Sequence, residues 1–229
     1  MFRGVVFDFD GVIVDSHPVH KRAWKKFLES IGKTVSESQL QFVLDGRKRE
    51  DILRHFLGEL DPEQVVEYGL RKEELFRDEA ADVQTVEGFS DFLEDLQDAK
   101  VALGIASSAS RSRLTFLLDR LELRRHFPVV VTADEVDQGK PNPAVFLKAA
   151  RKLGICPSEL LAFEDAVSGV KAARSSGMMC IGIAQADRAS TLLAAGAISV
   201  VPNFCDLSYA KLRHFSSNGT VFRPLGTLI

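Results

Sequence analysis

Cysteine is scarce in this chain. The three present, Cys156, Cys180 and Cys205, are odd in number and far apart, which excludes a disulfide framework and any thiolate metal site. They read as reduced thiols, small buried hydrophobes of a cytoplasmic protein. Long apolar runs are also missing. No stretch approaches the roughly 20 residues a membrane span needs, and the chain opens on a strand pattern in place of a signal peptide. Neither sign of charge dominates, since 29 Lys and Arg against 32 Asp and Glu leave a net charge of −3. Such a balance offers no field for nucleic acid or an anionic bilayer. There is no internal repeat or low-complexity tract. What is left is 229 residues, 45% apolar and 27% charged, enough to bury the core of one large domain or two unequal ones, with nothing that demands more than a monomer.

Against this plain background one segment stands out. The run Val5-Val6-Phe7-Asp8-Phe9-Asp10-Gly11-Val12 ends a strand-like apolar stretch in two carboxylates two residues apart. On an extended strand, residues i and i+2 face the same way, so Asp8 and Asp10 are expected to converge at the strand's carboxyl end and repel unless a cation lies between them. The pair suits phosphoryl transfer: one ionised carboxylate as nucleophile, a second carboxyl to move the proton, and Mg²⁺ to screen both from a phosphate.

Periodicity divides the rest. From Asp15 to about Asp82 the pattern is helical, with a first helix after Pro18 and further stretches at Gln39 to Leu44, Arg49 to Leu57 and Pro62 to Phe76. Residues 15–82 are therefore expected to form an inserted helical bundle. Residues 1–14 and 83–229 alternate strand and helix, with strands at Val101 to Ala106, Val129 to Thr132, Leu160 to Phe163, Met179 to Ile183 and Ile198 to Val201. Between them, helices are expected at Phe89 to Gln97, Arg113 to Leu121, Ala144 to Leu153 and Val167 to Ser175, with a short one through Leu192 and Leu193. Counting the first strand, this predicts an α/β fold with a doubly wound parallel sheet of about six strands, Rossmann-like, whose ligand site lies beyond the carboxyl ends of the strands. The tail after about Ser216 carries no periodicity.

Four polar clusters follow four of these strands. They are Asp8 with Asp10, Ser107-Ser108, Lys140-Pro141-Asn142-Pro143 and Glu164-Asp165. Taken singly, each has a bland reading as a turn, a helix cap or a solvated loop charge. Taken together they supply a nucleophile, oxygen ligands for a metal, a hydroxyl donor and a balancing lysine, all on one edge of one sheet.

In these residues the chain resembles the haloacid dehalogenase superfamily. Asp8-Phe9-Asp10-Gly11-Val12 is similar to its first motif, Ser107 to its second, Lys140-Pro141 to its third and Glu164-Asp165-Ala166-Val167-Ser168-Gly169 to its fourth, in order and across essentially the whole chain. The helical insertion matches the cap that this family places after its first motif. The resemblance implies that Asp8 forms an aspartyl-phosphate, while Asp10 protonates the leaving group and then activates the acceptor. It also implies Mg²⁺ held by Asp8, the Asp10 carbonyl and Asp165, with Glu164 in or behind that shell, and phosphoryl oxygens bound by Ser107 and Lys140.

The insertion most resembles the cap of the β-phosphoglucomutase branch and its phosphatase relatives. The resemblance implies substrate contacts from His20, Trp24, Gly46, Arg49, Lys72 and Ser108, with His20 linking cap closure to Asp10 and Arg49 gripping a phosphate that is not transferred. His20 and Trp24 also suit simple packing in a helix interface. After Ser107 the chain reads Ser108-Ala109-Ser110-Arg111, without the lysine and asparagine that help the mutase hold a second phosphate; Arg111 is the candidate substitute. The expectation is a Mg²⁺-dependent phosphatase of a small phosphorylated metabolite, a sugar phosphate by class. Its alternatives are a β-phosphoglucomutase and, from another class, a regulatory phosphoacceptor module without turnover.

Overall fold

The computed structural model describes residues 2–218, with side chains through Arg213; residues 219–229 of the unassigned tail lie outside the described residues. Six strands form one parallel sheet: β1 (Gly4–Phe7), β2 (Ala102–Ala106), β3 (Val129–Val131), β4 (Leu160–Glu164), β5 (Met179–Ile183) and β6 (Ser199–Val201). Their spatial order is β3-β2-β1-β4-β5-β6, the doubly wound arrangement that reverses direction beside β1. Strand β1 pairs with β2 through Gly4↔Ala102 to Phe7↔Ile105, and with β4 through Gly4↔Leu160 to Phe7↔Phe163.

Both faces of the sheet are covered, which is why β1 reads as an unbroken apolar run. Val5 and Phe7 enter one core with Phe89, Phe92, Phe163 and Phe204. Val6 enters the other with Ala106, Leu160, Ala162 and Cys180. Phe7 stacks on Phe163 with centroids 5.3 Å apart and meets Phe89 edge-on at 5.5 Å. Such ring pairs add stabilisation beyond area burial.

The chain leaves the core after Val14 and returns at Thr85, where an isolated antiparallel bridge joins these two residues. Between them lie α1 (His17–Ser30), α2 (Glu37–Leu40), α3 (Arg49–Leu57) and α4 (Pro62–Glu79). Pro18 sits in the first turn of α1, and Asp61 with Gln64 closes a capping box on α4. Trp24, Phe27, Leu28, Leu40, Val43, Ile52 and Leu53 form a third apolar cluster inside this unit. Where the periodicity predicts one helix at Gln39 to Leu44, the structure has the short α2 followed by a 3-10 turn at Gln41–Leu44.

The remaining helices pack on the sheet: α5 (Phe89–Asp98), α6 (Arg111–Arg120), α7 (Ala144–Leu153), α8 (Val167–Ser175), α9 (Ala186–Ala194) and α10 (Tyr209–Asn218). Helix α6 starts earlier than the expected Arg113 because the Ser110 side chain accepts from the Arg113 backbone N–H and caps it. No helix among the described residues is long and apolar enough to cross a membrane.

The inserted unit is docked on the core through the loop at residues 45–48. Ser108 Oγ donates to the Gly46 carbonyl at 2.6 Å, the Ser168 hydroxyl donates to the Asp45 carbonyl, and Lys48 Nζ donates to the Val136 and Asp137 carbonyls at 2.5 and 3.2 Å. These bonds span the two units and define a closed cap.

Candidate active site

Asp8 is the first residue past β1, tied to β4 by its backbone N–H donating to the Phe163 carbonyl at 2.9 Å. Lys140 Nζ lies 2.5 Å from Asp8 Oδ1 and 2.5 Å from Glu164 Oε1, with all three residues buried. Glu164 Oε2 accepts from the backbone N–H groups of Asp165 and Ala166 at 3.1 and 3.3 Å. Asp8, Glu164 and Asp165 each offer an oxygen within 4.8 Å of the others. Burial, together with the neighbouring Glu164 and Asp165, raises the Asp8 carboxyl well above the usual range despite Lys140. Burial and Asp165 raise Glu164 despite Lys140, whereas Asp8 and Glu164 overcome burial to push the Lys140 ammonium upward.

Three buried carboxylates against one ammonium are a deficit of positive charge in a low-dielectric site. Asp165 Oδ2 receives no well-directed hydrogen bond, although His17 Nε2 stands 2.8 Å away. An all-oxygen donor set with an unsatisfied buried oxygen fits a hard divalent cation.

Asp10 does not join this group, contrary to the convergence expected of a strand. Strand β1 ends at Phe7, and the chain turns at once: Ile13 and Val14 N–H donate back to the Phe9 carbonyl, and Gly11 adopts φ +80°. Two-residue alternation therefore stops before Asp10. Its Oδ1 accepts from Ser16 Oγ at 2.7 Å and faces His20 Nε2 at 3.2 Å, and its Oδ2 accepts from Arg113 Nη2 at 2.8 Å. The cation beside Asp10 is a side chain of the protein, Arg113. Burial acts to raise its carboxyl, but Arg113 and His20, aided by the Ser16 hydroxyl, hold it well below the usual range. In the metal set implied by the resemblance, Asp10 contributes only its backbone carbonyl.

Ser107 is buried, and its Oγ accepts from the Ala109 N–H at 3.0 Å, which leaves the hydroxyl hydrogen free to donate to a phosphoryl oxygen. Ser108, expected at the substrate, instead donates to Gly46; both line the cavity between cap and core. That cavity has a volume of about 60 Å³, room for roughly four to six waters. Trp24 lines it too, but its ring is 1% exposed and meets Phe27 edge-on in the cap interior. Arg49 begins α3 and lies flat over α4, where a Cβ on Gly69 would stand 2.7 Å from its Cζ. Its Nε has no partner, and Glu50 Oε1 is 3.3 Å from its Nη2. Arg111 faces away from the cavity toward Glu135 at 2.7 Å and is largely exposed, so it does not replace the mutase's missing phosphate ligands.

His20 and Lys72 meet inside the cap. Lys72 Nζ is 3.3 Å from His20 Nδ1, 3.8 Å from Glu73 Oε1 and 4.8 Å from the Phe76 centroid. Burial, with Lys72 beside it, lowers the His20 ring to about 3, so a neutral imidazole can donate from Nε2 to Asp10 and accept from Lys72 at Nδ1. Burial and Arg113 lower Lys72 to about 7 against the pull of Glu73. Because the unfolded chain binds this proton more tightly, between pH 7 and about 10 stability rises with pH, and the burden of the buried charge is largest below pH 7. Lys72→Met should therefore raise stability by about 1–4 kcal/mol below pH 7. The gain should shrink as the pH approaches 10, which thermal melts of both proteins across pH 6–10 would check; a gain independent of pH would contradict the assignment.

Sequence reasoning missed Ser16, His17, Glu73, Arg113 and Arg188, whose Nη2 donates to the Asp165 carbonyl at 2.9 Å. Two of these left a signal. Arg113 shares the buried face of α6 with Leu114, Leu117 and Leu118, and Glu73 shares the buried stripe of α4 with Gly69, Lys72 and Phe76. Charge inside an apolar stripe is costly unless it is paired.

The doubly wound sheet, the acidic pocket at its carboxyl edge and the docked helical cap define a capped, Rossmann-like α/β protein with a site suited to a divalent cation. Residues 5–183 match the haloacid dehalogenase-like hydrolase family, and the chain belongs to it. It is 31% identical over 203 residues to a phosphorylated carbohydrates phosphatase of Thermotoga maritima, covering 87% of this chain and 94% of the relative. It is 32% identical to a β-phosphoglucomutase of Mycobacterium bovis, covering 90% and 91%. A haloacid dehalogenase hydrolase of family IA, variant 3, from Entamoeba histolytica superposes with a TM-score of 0.85 at 28% identity, covering 95% of this chain and 100% of that one. The chain is thus an enzyme of the branch that holds phosphatases and β-phosphoglucomutases, and the module without turnover is set aside.

Proposed function

We propose that the protein is a Mg²⁺-dependent phosphatase that releases phosphate from a small phosphorylated metabolite, a sugar phosphate by class, through an aspartyl-phosphate on Asp8. The observation that carries this is the separation of two carboxylates by role: Asp8 among Lys140, Glu164 and Asp165, and Asp10 among Ser16, His20 and Arg113. Asp8 attacks phosphorus in its ionised form, which a bound cation would favour against burial, as the bond to the leaving oxygen breaks. Asp10, held ionised by Arg113 in the free protein, takes up a proton as substrate binds and delivers it to that oxygen. Asp10 then takes a proton from water as the water attacks phosphorus and frees Asp8. Lys140 and the Ser107 hydroxyl bind oxygens of the transferring group. Asp8, Asp165, Glu164 and the Asp10 carbonyl would hold the metal, which supplies charge neutralisation for the phosphoryl oxygens.

Water as acceptor is favoured over a sugar because Arg111 points out of the cavity and Glu73 lies within it, a poor setting for a second phosphate. The mutase reading rests on Arg49, whose Nε has no partner and which lines the same cavity. One incubation separates them, containing β-glucose 1-phosphate, Mg²⁺ and a trace of β-glucose 1,6-bisphosphate. Release of inorganic phosphate without glucose 6-phosphate supports the phosphatase, and rapid glucose 6-phosphate overturns it. In the phosphatase, Arg49→Ala should lower kcat/KM for a monophosphate by less than about tenfold, while a bisphosphate-dependent mutase should lose at least about a hundredfold.

A further inference from the structure

We propose that Arg113 is a positioning residue that links the orientation of Asp10 to closure of the cap. The inference rests on the reading above, in which Asp10 moves protons during phosphoryl transfer. Its basis is a guanidinium shared between two units. From α6 of the core, Nη2 donates to Asp10 Oδ2 at 2.8 Å while Nη1 donates to Glu73 Oε1 at 3.3 Å. Glu73 belongs to α4 of the cap. The face of the guanidinium rests 5.3 Å from the ring centroid of Phe76, one turn further along α4. Arg113 and Glu73 are 7% and 6% exposed, so neither is a solvated surface charge.

Packing alone does not account for this arginine. The Nε of Arg113 and the Oε2 of Glu73 are both buried without a partner, a cost that an apolar residue of similar volume would avoid. What the arginine supplies is a planar fork with two arms at a fixed angle. One arm finds its partner within the core. The other finds one only while α4 lies against the core, and the same holds for His20, the cap's own donor to Asp10. Closure therefore completes the shell around Asp10 at two points, directly through His20 and indirectly through Glu73 and Arg113. In the open cap, Asp10 keeps Ser16 and a guanidinium whose second arm has lost its partner.

The consequence is kinetic. Arg113 lines the cavity but makes no hydrogen bond to Ser107, Lys140, Glu164 or Asp165, whereas it bonds the Asp10 carboxylate directly and so sets its aim. With p-nitrophenyl phosphate and Mg²⁺, Arg113→Met is expected to lower kcat by about 10- to 100-fold with KM within about threefold of wild type. Arg113→Lys should recover part of the loss, since one ammonium reaches Asp10 without holding both partners. Glu73→Gln should lower kcat less than Arg113→Met, and the double variant should be no worse than Arg113→Met alone, because Glu73 acts through the arginine. A rise in KM at constant kcat, additive losses in the double variant, or wild-type kcat in Arg113→Met would each overturn the proposal. Should Arg113→Met fail to fold, Arg113→Lys and Glu73→Gln still decide it through their own kcat and KM. Asp10→Asn separates the two layers: if it turns over normally, the role given to Asp10 is wrong, and if it is inactive while Arg113→Met is fully active, only the role of Arg113 is.

Discussion

Asp8→Asn should abolish turnover, by at least about a thousandfold in kcat, while leaving the protein folded. The amide cannot attack phosphorus as a carboxylate does, and no other carboxylate takes its place. Glu164 is bonded to Lys140 and two backbone N–H groups, and Asp10 is occupied by Ser16, His20 and Arg113. The fold should tolerate the change for a definite reason. Burial already disfavours the charged form of Asp8, and Lys140 keeps Glu164 as its counterion when Asp8 becomes neutral. Steady-state release of phosphate and a thermal melt, run side by side, test both halves. Normal turnover in the folded variant would remove Asp8 as nucleophile.

Gly169→Ala should lose both stability and turnover, although residue 169 has no side chain that could take part in chemistry. The residue begins the second half of the first turn of α8, directly behind Glu164. A Cβ there would stand 2.0 Å from the Glu164 Cδ and Oε1 and 2.2 Å from Oε2. These are the atoms that hold Lys140 and the turn after β4, and they are fully buried. Moving them away separates a buried ammonium from its partner, so the cost combines overpacking with a broken buried ion pair, about 3 kcal/mol or more. A fall in melting temperature together with a loss of divalent-cation binding, measured by calorimetry, is the expected outcome. An alanine variant with wild-type stability and activity would show that Glu164 is free to move, against the packing described here.

Much of the architecture was legible in the chain because its signals are local. An apolar run with no polar alternation means a strand buried on both faces, and β1 shows why: Val5 and Phe7 fill one core while Val6 fills the other. Pro18 and Pro62 mark helix starts that depend on a few neighbouring residues. Local reasoning failed at Asp10 because a strand period was carried one turn too far. It failed at Arg113 because a helix-start reading hides a side chain that bonds a residue 103 positions away. Arg111 and Arg113 are two residues apart on the same helix, yet one faces Glu135 at the surface and the other enters the site.

By itself, the sequence determined the element order, the parallel doubly wound sheet and the polar clusters that follow its strands, since hydrophobic period and motif spacing are properties of short segments. Only the tertiary structure decided which acid joins which cation, that Ser108 pins the cap loop, and that Arg113 bridges core and cap. Those pairings arise where β1, β4, α4 and α6 come together, and a side chain's partner there depends on packing between segments distant along the chain.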